Sequence, residues 1–283
     1  MTWWRTVALV VQRELVSRRK ASLIVTGVLV VVAVGMVVLV AAVNSGNGSP
    51  ARLSPTEADE LLGFLGVVIM FMAILMTGQV VLIGVAEEKS SRVAEVVLGA
   101  MRPRLLLLGK VLSIGLIGLF EVLLTGGLVL VVGGRLDTIE LPAATGGAIA
   151  VVVFWFLLGF SFYSTVYAAA GSLLARHQNA ANAAGSINVV MMVGYLIGVI
   201  SSSSGSTGNL ALKIASLTPP LAPTTMPLRM IRSEVGVWEI SLSVILLVLA
   251  SFGMILLAER VYSGGLLSSG KTRIREAFRN AVR

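Results

Sequence analysis

The residues that could do chemistry are few, and most of them fail on context. Gly265-Leu266-Leu267-Ser268-Ser269-Gly270-Lys271-Thr272 satisfies G-x-x-x-x-G-K-[ST], the loop whose backbone N–H groups cradle phosphates. Such a loop needs a buried strand before it, a helix packed on a parallel sheet after it, and a distant acid to hold a metal. Here a long apolar run precedes the motif and eleven residues follow Thr272, so no nucleotide site is expected there. Cysteine is absent and His177 is the single histidine, which excludes disulfides, thiolate metal centres and a His-pair zinc site. An intramembrane enzyme would need paired catalytic groups at membrane depth, and a lone Glu is no pair. No covalent chemistry, cofactor or metal is expected on this chain, and whatever energises it is expected elsewhere.

Glu121 is the one acid in the middle of an apolar run. An ionised carboxylate at the centre of a bilayer costs about 2.5–3.5 kcal/mol on insertion scales, so the residue should face protein or water. Gly118 and Thr125, at i−3 and i+4, give it a small and mildly polar face. Two roles are open: a contact for a cation or cationic substrate, or a hydrogen bond to a tyrosine or asparagine of a neighbouring helix. Phe156, Phe160, Tyr163 and Tyr167 recur at i, i+4, i+7 and i+11, a stripe more typical of helix packing than of a substrate wall. Asn179, Asn182, Ser186 and Asn188 precede Gly194-x-x-x-Gly198, and small residues at that spacing let helices approach closely. Glu121, Tyr163, Tyr167 and Asn188 are the candidate substrate-pathway residues.

These groups need a membrane to hold them. A mean hydropathy of +0.94 and 56% hydrophobic residues in 283 exclude a soluble globular protein. An all-α membrane domain with six spans is expected, at 21–43, 61–86, 105–132, 146–174, 180–200 and 240–258, each near the ~20 residues that a bilayer requires. Residues 1–20 read as an interfacial helix anchored by Trp3 and Trp4, and 21–43 as a retained span rather than a signal peptide. Residues 44–60 and 133–145 read as loops. With six spans both termini share one side. Placing them in the cytoplasm leaves five of the 22 basic residues outside (Arg52, Arg135, Lys213, Arg229 and Arg232) and 17 inside, which settles the expected orientation. The net charge of +8 then points to the anionic inner leaflet of a plasma membrane, at about 1 kcal/mol per basic residue, and not to nucleic acid. Residues 261–283 form a basic cytoplasmic tail.

Two segments depart from the alternation of span and loop. Residues 201–236 turn apolar after a Ser/Gly-rich stretch and carry Pro219, Pro220, Pro223 and Pro227. Irregular backbone that apolar should be shielded by protein, so a short helix and a proline-broken re-entrant segment are expected. Residues 87–104 are the best-charged stretch between long apolar runs. Val93, Val96, Val97, Ala100 and Met101 fall at i, i+3, i+4, i+7 and i+8, one stripe of an amphipathic helix. Glu88, Arg92 and Glu95 lie on its other side, and Pro103 ends it. An interfacial helix and a docking element for a soluble partner both fit that pattern.

Glu87-Glu88-Lys89, Arg92, Glu95-Val96-Val97, Arg102-Pro103 and Gly109-Lys110 resemble the signature of type-2 ABC export permeases, most closely the sodium-efflux branch. The resemblance implies that 87–104 is the coupling helix, with Glu87, Glu88, Arg92, Val93, Glu95, Val96, Val97 and Met101 facing a separate ATPase. It implies two ATPase copies carrying ATP and Mg, and a homodimer or heterodimer of permease chains whose first, second and fifth spans surround a central cleft. That favours a seam between copies at Gly194 and Gly198, with packing within one chain as the alternative. It also implies an external gate at Pro219, Pro220, Pro223 and Pro227, export by alternating access, and no enzymatic activity on this chain. An ion-coupled secondary transporter or channel using Glu121 is the rival reading, although the two halves show no convincing repeat.

Overall fold

A computed structural model describes residues 11–12, 19–45, 55–90, 103–135, 145–174, 180–203, 210–231 and 235–266. Among them lie eight helices and no strand: α1 (Arg19–Ser45), α2 (Pro55–Ser90), α3 (Pro103–Arg135), α4 (Thr145–Leu173), α5 (Ala180–Ser203), α6 (Leu210–Leu217), α7 (Ala222–Ile231) and α8 (Val237–Leu266). Five contain stretches long and apolar enough to cross a bilayer: Glu60–Glu87, Gly109–Arg135, Gly147–Leu173, Ala180–Ile200 and Val237–Leu257. The shortest, 21 residues, spans about 31 Å at 1.5 Å per residue, the thickness of the hydrocarbon layer. The described apolar stretch of α1 is shorter, Leu23–Leu39. The chain is an all-helical, multi-pass membrane protein.

Several elements extend beyond their expected limits. The loop expected to reach Glu60 stops before Pro55, where α2 begins. Proline at a helix start is pre-set for helical φ and lacks an N–H that would have no acceptor there. Pro103 plays the same part for α3, opening the next helix as well as closing the charged segment. At the other end of the chain, α8 runs through Gly265 to Leu266, so the phosphate-loop pattern begins inside a long helix. Most of 1–20, the segment 91–102 with Arg92, Val93, Glu95, Val96, Val97 and Met101, and the tail from 267 lie outside the described residues. Glu87 and Glu88 belong to the last turns of α2.

α2 is the central helix: Val67, Met70, Ala73, Ile74, Val81, Leu82 and Val85 are fully buried, and its most extensive contact is with α4. α4 interlocks with its neighbours by setting rings into glycine hollows. A Cβ on Gly115 or Gly118 of α3 would lie 2.7 or 2.9 Å from the rings of Phe160 or Phe156, and Gly78 of α2 faces the ring of Tyr167. Where lipid is as apolar as leucine, this fit of ring to hollow supplies the packing energy that burial supplies in water. The aromatic stripe is therefore core, fully or nearly buried along its length.

Candidate functional site

One group of buried polar residues lies on and around the two short helices: Ser216, Thr224, Thr225, Arg229, Glu239 and Ser243. α6 and α7 have 8 and 10 residues, about 12 and 15 Å, and cannot cross a bilayer. They form a hairpin inserted along α4. Its tip at Pro220 meets Tyr163, sixteen residues past Gly147, while Met230 near its far end meets Trp155, only eight past it. Every residue from Ala222 to Arg229 is buried. The hairpin thus enters from the bundle end that holds Arg135 and Ser203 and returns to it.

Backbone turning inside a bundle must have its polar groups satisfied by protein. The tip achieves this mostly by lacking donors. Pro219 and Pro220 have no N–H, and the hydroxyl of Tyr163 donates to the Pro220 carbonyl. The turn is closed by Leu221 N and Ala222 N donating to Thr218 O at 2.9 and 2.8 Å. Thr224 and Thr225 hydroxyls both donate to Leu221 O, at 3.0 and 2.9 Å. Pro223 falls in the first turn of α7, where proline is ordinary. Pro227 sits inside the helix without ending it, although a break was expected there. One turn beyond Tyr163, the Tyr167 hydroxyl donates to Asn188 Oδ1 of α5. Tyr163, Tyr167, Asn188 and the four prolines therefore belong to one neighbourhood.

The hairpin rests on glycines. Gly159 of α4 receives Pro223, at 2.8 Å from an added Cβ. Gly194 of α5 faces Leu221 and Thr224, and Gly198 faces Leu228. A seam between copies and packing within one chain were both open for these two; the chain's own α7 occupies them. The G-x-x-x-G spacing was legible, but spacing alone does not say which helix arrives.

At the Arg135 end the hairpin is closed by charge. Arg229 is 4% exposed, and its Nη2 lies 2.5 Å from Glu239 Oε2 in the first turn of α8. Its Nη1 donates to Ser216 Oγ of α6 at 2.6 Å. Ser243 Oγ donates to Ser216 O at 2.7 Å, and Lys213 Nζ stands 4.0 Å from Glu239 Oε1. Sequence reading counted Arg229 as an ordinary loop cation and passed over Glu239. The partners stand ten residues apart on two helices, so no local spacing could have joined them.

Glu121 sits elsewhere. It is 1% exposed on α3 and faces α1, where Thr26 Oγ1 donates to its Oε1 at 3.4 Å. Thr125 Oγ1, one turn on, is buried with no hydrogen-bond partner among the described residues. Thr26 is one partner of Glu121; a tyrosine or asparagine of a neighbouring helix was the expected one. Tyr163, Tyr167 and Asn188 belong to α4 and α5, so the four pathway candidates divide into two groups. Lys110 and Ser113 are also buried, toward the opposite end of α3.

The comparisons with known proteins agree with this architecture. Residues 39–259 match the model of a family described as ABC-2 family transporter protein. The chain is 25% identical over 255 residues to "Uncharacterized protein YhaP" of Bacillus subtilis (strain 168), covering 83% of this chain and 60% of that one. It is 24% identical over 212 residues to "Uncharacterized protein MJ1024" of Methanocaldococcus jannaschii, covering 75% and 51%. The chain thus spans little more than half the length of these relatives.

Proposed function

The chain belongs to the ABC-2 family of transporter proteins, and on that premise we propose that it is the membrane-spanning permease subunit of an ATP-driven exporter. The observation that carries the reading is the proline-tipped hairpin of α6 and α7, whose second helix, α7, is buried among α2, α4, α5 and α8. A short re-entrant pair in that position is the natural closure of a pathway. It can shield or open one end without any full-length helix leaving the membrane.

In this reading α1 is the sixth span, both termini are cytoplasmic, and the hairpin is the external gate. Segment 87–104 is the coupling helix, carrying the stroke of an ATPase that holds ATP and Mg. Two permease chains and two ATPases form the working unit and export by alternating access. α5 supports the pairing of permeases: Asn182, Ser186, Val189, Val193 and Ile200 form an exposed stripe. Polar groups on a spanning helix call for protein or water opposite them. Sodium is the first substrate to test, because the charged loop resembles the sodium-efflux branch.

The test is co-purification of the chain with its ATPase, followed by ATP-dependent sodium movement and a wider substrate screen in proteoliposomes. Transport that persists without the ATPase would instead favour the second reading, an ion-coupled carrier or channel. The buried Glu121, with Thr26 as donor, is the observation on that side.

A further inference from the structure

Besides its seat on α4, the hairpin meets α8 and α5 through different chemistry. Toward α8 the contacts are polar and chained. Arg229 bridges Glu239 and Ser216, Ser243 holds the Ser216 carbonyl, and Lys213 stands behind Glu239. Parting such a pair would leave two uncompensated charges in a low-dielectric site. Toward α5 the contacts are between small groups. Gly194 and Gly198 present bare backbone to Leu221, Thr224, Thr225 and Leu228. The described contacts there are van der Waals ones, with no charge pair to part, so α7 can shift along α5 without exposing a buried charge.

We propose that Arg229 is a positioning residue that fastens α6 and α7 to the start of α8. The three then travel as one body, and the surface that slips during transport is the α5–α7 contact at Gly194 and Gly198. This rests on the permease reading above. The opposite arrangement, a hairpin that stays on α5 and swings away from α8, would have to break the Arg229–Glu239 pair in every cycle.

The chain contains no cysteine, so introduced pairs are unambiguous. Gly198→Cys with Thr225→Cys puts a Cβ 3.7 Å from the Cα of residue 225, within disulfide reach across the proposed slip surface. Ser216→Cys with Ser243→Cys, joined by a short bis-methanethiosulfonate reagent, bridges the fastened side. Both variants are assembled with the ATPase in proteoliposomes and read as ATP turnover. The 198–225 disulfide should lower turnover at least tenfold, with full recovery in reductant. The 216–243 bridge, a covalent link in place of the two serine contacts it removes, should leave turnover within twofold of wild type. In folded Arg229→Ala protein the 216–243 bridging yield should drop severalfold, and Arg229→Met with Glu239→Leu should restore it by replacing the charges with apolar contact.

The reverse pattern of inhibition overturns the proposal. So does a 198–225 disulfide that forms without effect or cannot be formed, or a bridging yield that ignores Arg229→Ala. A wild-type complex whose ATP turnover never depends on this chain counts instead against the permease reading, before any cysteine pair is compared.

Discussion

Gly171 of α4 and Leu82 of α2 meet backbone to backbone: a Cβ on Gly171 would lie 2.5 Å from the Leu82 carbonyl oxygen. A helix carbonyl cannot rotate aside as a side chain can, so even one methyl group must push α2 and α4 apart. This contact sets the closest approach of the two helices with the most extensive packing in the bundle.

Gly171→Ala should therefore destabilise the protein by about 1–3 kcal/mol, the usual range for overpacking. Gly126→Ala should be neutral or slightly stabilising, because nothing lies within 4 Å of its added Cβ and alanine favours a helix by up to ~1 kcal/mol. Melting curves in one detergent compare the two. Equal melting points would show that α2 and α4 are not in backbone contact.

Glu121→Gln should reduce transport while leaving expression and assembly intact, since the amide keeps an oxygen to accept from Thr26 but carries no charge. Transport by the purified complex decides the matter. Full activity in Glu121→Gln, with only a lower melting point in Glu121→Leu, would make the residue structural.

Val93→Asp with Val97→Asp should uncouple the permease from its ATPase. Each buried valine is worth ~1.5 kcal/mol or more, so the apolar stripe is the main binding surface that segment 87–104 can offer. Reversing Glu88 and Arg92 together should do less, at ~0.3–0.5 kcal/mol for an exposed pair. ATPase retained on tagged permease is the readout. Wild-type retention and transport in the double Asp variant would remove 87–104 as the coupling element.

Lys271→Ala should leave ATP turnover by the assembled complex unchanged. The motif around it opens on the last residues of α8 and not after a strand. Saturable binding of a fluorescent ATP analogue by the isolated chain, lost in Lys271→Ala, would contradict this.

What could be read from the sequence follows from the range of each signal. Hydropathy is local, so the five long apolar helices are foreseeable from composition and length. The clustering of Pro219, Pro220, Pro223 and Pro227 in apolar surroundings is local too, and it signals backbone that must be sheltered. Helix starts such as Pro55 are also written locally, yet the polar run around it suggested a loop and concealed the helix. Partners are not local. Gly194 and Gly198 announce close approach without naming α7, and Arg229 looks like any loop cation until the fold brings Glu239 to it. Glu121 announces a buried partner, but Thr26 lies 95 residues away on a helix with no feature that marks it.

The Arg229–Glu239 pair also constrains how the chain is made. α6 and α7 are too short to be held in a membrane by their own hydrophobicity, and α7 carries a cation that must leave water to reach its place. Its counter-ion is synthesised ten residues later, at the head of the last long helix. During biosynthesis the hairpin therefore has no neutral way to settle until α8 begins to insert. α8 then delivers the carboxylate and the final wall of the cradle in one step. The order of elements along the chain doubles as an order of assembly, with the hairpin settling only as α8 arrives.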